Sequence, residues 1–206
     1  MIDQWRFFAW TRRASRPERR PPRARAPRAG AWALGTALFV GAAVAAQGTA
    51  DVNQAKANML WNLAKFVAWP GLPANKDTPL VLTIIGEDDL AAEVAGVLSS
   101  RTVNGRPVFV RFARRPQDAK GSQIVYLAAS DADKMSSVLT AVDSAAVLTV
   151  SDAPGFAAHG GMVGFATEGD KVRFEVNLIH AERNGLKLSA KLLSLARLVT
   201  DSPGTP

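Results

Sequence analysis

The side chains that most often carry catalysis or bind metals are few in this sequence. Of its 206 residues, two are histidines, His159 and His180, and none is cysteine. The two histidines fall in different predicted elements, and neither has a second ligand at metal-binding spacing. A metal site needs three or four convergent ligands. We therefore expect no metal, no cofactor and no cysteine-based chemistry.

Ser151 and Asp152 form the best-placed pair for nucleophilic chemistry. They follow a predicted strand, at the edge where parallel sheets bind ligands. No Gly-x-Ser-x-Gly motif surrounds the serine, and a turn cap is the simpler interpretation of the pair. The glycines that follow match neither the dinucleotide-binding nor the P-loop spacing; they are Gly155, Gly160, Gly161 and Gly164. We therefore expect that the protein is not an enzyme.

A row of polar residues on one predicted strand, residues 171–177, is the best candidate for recognition. Arg173, Glu175 and Asn177 alternate with apolar residues, so they lie on the face opposite the core. The apolar members of the strand are Val172, Phe174 and Val176. A face covered by helices would be apolar, so the pattern predicts that the polar face is open. The competing interpretation is an ordinary solvated sheet face.

Three residues in the loop before this hairpin complete the candidate partner- or ligand-binding site. We expect Asp152, Phe156 and His159 to rim the same surface as the polar row. Arginine offers a planar fork that recognises carboxylates. On this hypothesis, Arg173→Ala or Glu175→Ala leaves folding within about 0.5 kcal/mol of the wild type and weakens control of the partner.

Short apolar strands alternate with amphipathic helices along the middle of the chain. The predicted strands are residues 80–85, 108–112, 124–128 and 146–150, and the predicted helices begin near Asn53, Asp88 and Asp131. The first helix has an apolar stripe that includes Met59 and Phe66, which indicates core rather than a ligand cavity, with Lys56 outside the stripe. This alternation predicts an α/β fold, a mostly parallel, Rossmann-like sheet flanked by helices.

The last third of the chain changes pattern. Residues 162–167 and 171–177 flank a turn and predict a β-hairpin. Asn177 is expected to cap a short helix, and Ser189 a final helix with Leu192, Leu195, Ala196 and Val199 facing inward. The sequence thus predicts a C-terminal hairpin followed by closing helices.

The first 46 residues carry the whole net charge of +7. Of 25 basic and 18 acidic residues in the chain, nine and two respectively lie in this segment, so the remainder is neutral. A neutral domain argues against a nucleic-acid-binding surface.

Residues 30–46 form an uncharged run that ends in small residues. A secretory signal peptide typically has a basic segment, then a short apolar run, then small residues at its cleavage site. This pattern predicts cleavage near Ala46. The alternative is an uncleaved transmembrane helix that anchors the protein in the inner membrane. We therefore predict a periplasmic protein in three parts: the basic tail with its signal or anchor, residues 1–46; one domain, residues 47–200; and a disordered tail, residues 201–206.

Several blocks of the exported part resemble the YfiR family. Residues 62–70 are similar to its KF-x-x-WP signature, and residues 105–108 and 147–156, GRPV and VLTVSDAPGF, match its central blocks. The C-terminal blocks of the family are matched by residues 160–163, 172–178 and 185–193. The resemblance covers about residues 53–199 with the order and spacing preserved.

The resemblance implies a periplasmic α/β domain without enzymatic activity. The best-known member of the family restrains a membrane-bound diguanylate cyclase by binding its periplasmic sensor region, and an outer-membrane lipoprotein releases it. That member is dimeric and uses disulfides, whereas this sequence has no cysteine and so lacks disulfide-type redox control.

The function predicted is therefore a non-catalytic periplasmic regulator in cyclic-di-GMP signalling. Its expected partner is the periplasmic region of a membrane signalling protein, with an outer-membrane lipoprotein and a second copy of the chain as further candidates. The alternative is a periplasmic small-ligand-binding protein, with its site near Ser151 and Asp152 or on the Arg173 face.

Overall fold

The computed structural model describes residues 40–168 and 171–202, with side-chain exposure from residue 49 onward, all within one compact unit. The α-helices in this part of the chain are α1 Val40–Ala64, α2 Asp89–Ser99, α3 Met135–Ala141, α4 Leu178–Arg183 and α5 Ala190–Leu193. The strands are β1 Val67–Ala68, β2 Leu80–Ile85, β3 Thr102–Val103, β4 Arg106–Ala113, β5 Ile124–Leu127, β6 Leu148–Ser151, β7 Val163–Glu168, β8 Lys171–Val176, β9 Lys187–Leu188 and β10 Arg197–Leu198. Short 3₁₀-helices cover Pro116–Ala119, Ala129–Lys134 and Phe156–His159.

Eight strands form one sheet in the order β10-β8-β7-β6-β5-β2-β4-β3. The pairs β4–β2, β2–β5, β5–β6 and β6–β7 are parallel, as is β8–β10. The β7–β8 hairpin and the β3–β4 pair are antiparallel, and β1 and β9 form a separate two-stranded ribbon. The predicted α/β class is therefore confirmed, with a mostly parallel sheet and a C-terminal hairpin.

The inner strands β2, β5 and β6 are largely buried on both faces because helices cover both. On one face α1 and α2 pack over a cluster that includes Leu82, Ile84 and Tyr126. On the other, α3 and the 3₁₀-helices cover Val125 and Leu127. Consecutive residues of β5 thus belong to opposite cores, as the two-residue period of a strand requires.

Side-chain caps fix where several helices begin. Asp88 accepts a hydrogen bond from the Ala91 amide at 2.7 Å and starts α2. Asn177 and Ser189 cap α4 and α5 in the same way, as the sequence predicts.

Two helices differ from the prediction. α1 begins at Val40 rather than near Asn53, and it runs without interruption past Ala46. The final helix ends at Leu193, and the chain then pairs with β8 as β10, so that Leu195 is 67% exposed rather than inward. The reason is that β8 would otherwise be an unpaired edge of the sheet. The Val199 amide donates a hydrogen bond to the Val176 carbonyl at 3.0 Å, and this bond could not form if the helix continued through Val199.

The chain remains attached to the domain beyond residue 200. Asp201 bonds to side chains near α4, and the Ser202 amide donates to the Ala158 carbonyl at 2.9 Å. The domain therefore extends at least to Ser202, and residues 203–206 lie outside the described residues.

Most of the predicted export segment, residues 1–39, also lies outside the described residues. In the part of the chain that the structure describes, no helix combines the length and the apolar character needed to cross a membrane. Cleavage near Ala46 stays a prediction.

Candidate functional site

Asp152 lies at the carboxyl end of β6, on the side of the sheet that α1 covers. Its carboxylate accepts a hydrogen bond from the Tyr126 hydroxyl at 3.0 Å and pairs with the Lys56 ammonium at 3.2 Å. The Lys56 and Asp152 side chains are only 12% and 14% exposed. The ion pair therefore fastens α1 to the sheet, and Asp152 is not presented to a partner.

The Tyr126 hydroxyl is the second donor to this carboxylate. Burial raises the pKa of Tyr126 far above its ordinary value, and the negative charge of Asp152 adds to the effect. The hydroxyl therefore stays protonated and donates its hydrogen bond at every physiological pH. The three side chains form a matched network of donors and acceptors rather than a reactive group.

Phe156 and His159 lie on the 3₁₀-helix that follows β6, in different environments. Phe156 is 1% exposed and belongs to the core on the α3 side of the sheet, whereas His159 is exposed. A methyl group on Gly161 would overlap the Phe156 ring. The glycine-rich sequence around this helix therefore serves close packing, and only His159 is accessible to a partner.

The side-chain alternation predicted for β8 is confirmed, but its polar face is not open. Phe174 and Val176 are buried in the core, and Arg173 is exposed. Glu175 is 7% exposed and forms an ion pair with Arg197 of β10. The prediction of an open face is wrong at Glu175, because Arg197 in the C-terminal segment, 22 residues further along the chain, covers it.

Asn177 is also buried, with no exposed surface. Its amide nitrogen donates to the Ala157 carbonyl at 3.0 Å and to the Asp201 carboxylate at 2.8 Å, and its oxygen caps α4. Asp201 in turn accepts from the His180 Nε2 at 2.9 Å. Asn177 therefore holds together the hairpin, α4 and the C-terminal segment, and its side chain does not lie on an open face.

The Asp201–His180 contact gives the domain a pH dependence with a defined sign. The hydrogen bond from His180 holds the pKa of Asp201 below its ordinary value of 3.8. The contribution of Asp201 to stability is therefore complete above pH 3.8 and is lost as the pH falls through the lowered pKa. Because the carboxylate is half exposed, we expect this contribution to be below about 1 kcal/mol.

Urea denaturation of the wild type and Asp201→Asn between pH 6 and pH 3 measures this contribution. We expect the acidic loss of stability to be smaller in the variant. Identical slopes in the two proteins would show that Asp201 is free in solution.

The carboxyl edge near Ser151 is closed, contrary to the ligand-site hypothesis. Ser151 is fully buried, and its Oγ accepts a hydrogen bond from the Ala153 amide at 3.0 Å. A cavity of about 530 Å³, which we call the switch cavity, lies instead at the carboxyl ends of β2, β4 and β5. It is lined by Gly86, Glu87, Phe112, Ala113, Arg114, Ser130, Asp131 and Lys134.

An apolar groove of about 280 Å³, the edge groove, lies between α1, β8 and α5. Its lining is Ala55, Asn58, Met59, Asn62, Leu63, Phe66, Phe174, Leu192 and Leu195. Leu198 on the adjacent β10 is 56% exposed. Met59 and Phe66, predicted to be core, therefore form part of an accessible apolar surface.

The sequence prediction missed Lys56 and Arg197, the two cations that neutralise Asp152 and Glu175. Lys56 precedes Leu60 and Leu63 at positions i, i+4 and i+7, a spacing that places all three on one side of a helix. That spacing could have identified Lys56 as inward-facing. No comparable local pattern identifies Arg197.

Among residues 40–168 and 171–202, no three histidine, aspartate or glutamate side chains come together to hold an ion.

A family model described as YfiR/HmsC-like matches residues 53–197 of the chain. The chain belongs to this family. The match runs from within α1 to the first residue of β10, and so includes both cores and the hairpin of this YfiR/HmsC-like domain.

No curated protein matches the chain. Among solved structures, it is similar to a conserved domain protein from Vibrio cholerae, with 12% sequence identity and a TM-score of 0.48. The similarity covers 72% of this chain and 60% of the Vibrio chain.

Proposed function

We propose that this YfiR/HmsC-like protein is a non-catalytic regulator in the periplasm that restrains a membrane-bound signalling enzyme, such as a diguanylate cyclase. The observation that carries the proposal is the family match over residues 53–197, which spans most of the described domain. The basic, then apolar composition of residues 1–46 supports export of the domain that follows it.

The edge groove is the surface that best suits a protein partner. Its lining is largely apolar, and Leu195 and Leu198 beside it are 67% and 56% exposed. Contiguous exposed apolar surface of this kind is typical of protein-binding sites. We propose that an apolar segment of the periplasmic region of the signalling enzyme occupies the groove. An outer-membrane lipoprotein and a second copy of the chain are the further partners that the family suggests.

Arg173 and His159 form a second proposed contact surface, on the opposite side of the hairpin. Both side chains are exposed, so a partner can reach them without unfolding the domain. The other candidates from the sequence, Asp152, Phe156, Glu175 and Asn177, would act by holding this surface in place.

Cellular cyclic-di-GMP tests the proposed function. Deleting the gene is expected to raise the cyclic-di-GMP concentration, and the wild-type gene is expected to restore it. Leu195→Asp is expected to fail in this complementation, because it places a charge in the edge groove at an exposed position that the fold tolerates. Mass spectrometry measures the nucleotide, and an immunoblot of the periplasmic fraction confirms that the variant accumulates.

Ile179→Asp is the matched control, since Ile179 is 48% exposed on α4, outside the groove. It is expected to restore cyclic-di-GMP like the wild type. Equal complementation by Leu195→Asp would exclude the groove, and failure of Arg173→Ala would then assign the second surface. An unchanged cyclic-di-GMP level on deletion would overturn the proposed cyclase target.

A small-ligand-binding function is the second candidate, and the switch cavity favours it. β2 lies between β4 and β5 in the sheet. The chain passes from β2 towards β4 through α2 on one face, and from β4 to β5 through Pro116–Ala119 on the other. Ligands of open α/β sheets bind at the carboxyl ends of strands where the strand order reverses in this way. Ligand-induced NMR shifts at Gly86 and Ser130 would distinguish this function from the regulatory one.

A further inference from the structure

One side of β4 has no partner strand along most of its length. In the sheet, β4 lies between β2 and β3, at the end opposite β10. β2 pairs with residues 108–113, whereas β3 pairs only with Arg106 and Pro107. Among the described residues, no strand and no loop backbone bonds to residues 108–113 on the side away from β2. We call this side of residues 108–113 the free edge.

The turn between β3 and β4 shows which backbone groups the free edge presents. Its two residues, Asn104 and Gly105, have φ angles of 53° and 81°, as in a type I′ turn. The residues that flank such a turn exchange hydrogen bonds, so the amide and carbonyl of Arg106 point towards β3. Every second residue of a strand points these groups in the same direction. Those that point towards the free edge therefore belong to Val108, Val110 and Phe112.

The free edge lacks the protection that sheet edges usually have. Charged side chains or proline commonly hinder the pairing of an exposed edge with further strands. Residues 108–113 contain no proline, and their single charged side chain, Arg111, bonds to Thr83 of β2 and so points towards β2. Phe109 and Phe112 are 57% and 56% exposed. Backbone donors and acceptors beside exposed aromatic rings suit the addition of another strand.

Two positively charged side chains lie on the ring of Trp61, next to β3. The Lys65 Nζ and the Arg101 Cζ are 3.6 and 4.5 Å from the centre of that ring. Trp61 donates from its Nε1 to the Thr102 carbonyl of β3 at 2.9 Å. The contacts with the ring hold the two cations close to the β3–β4 hairpin, but they supply no negative charge to balance them.

Two further cations lie at the turn itself. A methyl group on Gly105 would be 3.5 Å from the Lys76 Nζ, and Arg106 donates to backbone carbonyls of the loop that contains Lys76. This loop, residues 70–79, contains one acidic residue, Asp77. None of the four cations forms an ion pair with a described residue. The hairpin end of the free edge is therefore positively charged, even with Asp77 counted.

The charges favour a different protein over a second copy of this chain as the occupant of the free edge. Antiparallel pairing with the free edge of a second copy would direct Arg114 of each copy towards the other's hairpin, where Arg101 and Arg106 lie. Arg114 is 87% exposed and follows β4 directly. Like charges brought together in this way oppose association. A segment that carries carboxylates meets no such repulsion.

We propose that the free edge binds an extended, acidic segment of another protein, which adds a strand to the sheet beside β4. The backbone of the segment pairs with the outward amides and carbonyls of β4, and its carboxylates neutralise the cations at the hairpin. Its apolar side chains cover Phe109 and Phe112. This surface is separate from the edge groove, which lies beside β8 on the other side of the sheet. The domain can therefore hold this segment and the partner in the edge groove at the same time.

Binding of a synthetic peptide to the full chain, followed by amide NMR shifts, tests the proposal. The probe is a seven-residue peptide with blocked ends that alternates glutamate with valine. We expect saturable binding with a Kd on the order of 1 mM, and shifts centred on β4. The absence of binding at millimolar peptide would overturn the proposal, as would shifts confined to residues outside β3 and β4.

Two control peptides separate the contribution of charge from that of backbone pairing. One replaces every glutamate with lysine, and the other is N-methylated at its amides, which removes its backbone hydrogen-bond donors. Both are expected to bind at least tenfold more weakly than the probe. Equal binding of either control peptide would contradict the proposed mode of binding.

Lys76→Glu tests the hairpin charge in the protein itself. Lys76 is exposed, so the variant is expected to fold and to bind the probe at least fivefold more weakly at low salt. Lys171→Glu is the matched control, because Lys171 is exposed on β8, on the other side of the sheet. It is expected to bind the probe like the wild type. Equal affinities of Lys76→Glu and this control would exclude the hairpin cations and overturn the proposal.

Val110→Pro tests the backbone pairing, since it removes an amide that points towards the free edge and none that points towards β2. The variant is expected to bind the probe at least tenfold more weakly, whereas Val110→Thr, which keeps the amide, is expected to bind like the wild type. Wild-type affinity in Val110→Pro would exclude strand addition. If this variant does not fold, the N-methylated peptide decides the same point.

A second copy of the chain is the alternative occupant, and light scattering of the wild type and Val110→Pro tests it. We expect the two proteins to have the same mass in solution. A wild-type dimer that Val110→Pro dissociates would show that a second copy occupies the free edge, and the proposal would be wrong. None of these results bears on the regulatory function, which is read from cyclic-di-GMP and from the edge groove.

Discussion

The Phe156→Ala variant is expected to be about 3–5 kcal/mol less stable than the wild-type domain. Phe156 is 1% exposed, and its ring fills the space above Gly161, where no side-chain atom competes with it. Removing the ring leaves a cavity that the surrounding strands and α3 cannot fill without moving. Urea denaturation followed by the fluorescence of Trp61 and Trp69 measures the change.

His159→Ala is the matched control on the same 3₁₀-helix. His159 is exposed, and among the residues that the structure describes its ring bonds only to the Gly155 carbonyl, so we expect a change within about 1 kcal/mol. If Phe156→Ala lowered the free energy of unfolding no more than this control does, Phe156 would not be a core residue. The sequence-based prediction that it belongs to the partner-binding surface would then stand.

Asp152→Ala is expected to destabilise the domain by about 3 kcal/mol or more. The variant leaves the Lys56 ammonium, 12% exposed, without its counter-charge, and the Tyr126 hydroxyl without its acceptor. Denaturation of the single variant, of Lys56→Met and of the double variant forms a cycle that isolates the coupling between the two charges. We expect the double variant to be more stable than Asp152→Ala alone, since it buries no unpaired ammonium.

Asp133→Ala provides the reference for loss of an exposed carboxylate and is expected to change stability by less than about 0.5 kcal/mol. A similar small effect for Asp152→Ala would mean that Lys56 reaches solvent when its partner is removed. In that case the ion pair would not fasten α1 to the sheet.

Local patterns were sufficient to predict the central strands of the sheet and the hairpin. β2 was predicted with its observed bounds, because a short apolar run that ends at a glycine, here Gly86, usually forms a buried strand. Asn177 and Ser189 were identified as caps, and Asp88 as one of two candidates with Asp89, because a cap bonds to an amide two or three residues away. These features depend on neighbours in the sequence, so the sequence reveals them.

The candidate site was harder to predict because its partners are distant in the chain. Alternation correctly placed Glu175 opposite Phe174, but it could not show that Arg197 covers Glu175 or that Asp201 reaches Asn177. Lys56 and Asp152 are separated by 96 residues. A polar residue on a strand is therefore compatible with an open face or with a long-range ion pair, and only the fold distinguishes the two.

The pairing of β10 with β8 has a consequence for the order of folding. β10 contributes only two paired residues, yet without it the backbone of β8 is an unpaired edge of the sheet. Open edges are templates for pairing with other chains. Since Arg197 and Leu198 are synthesised after every other strand of the sheet, a chain that has emerged only as far as the hairpin exposes this edge. This edge is therefore protected from self-association during synthesis only after Arg197 and Leu198 have been added to the chain.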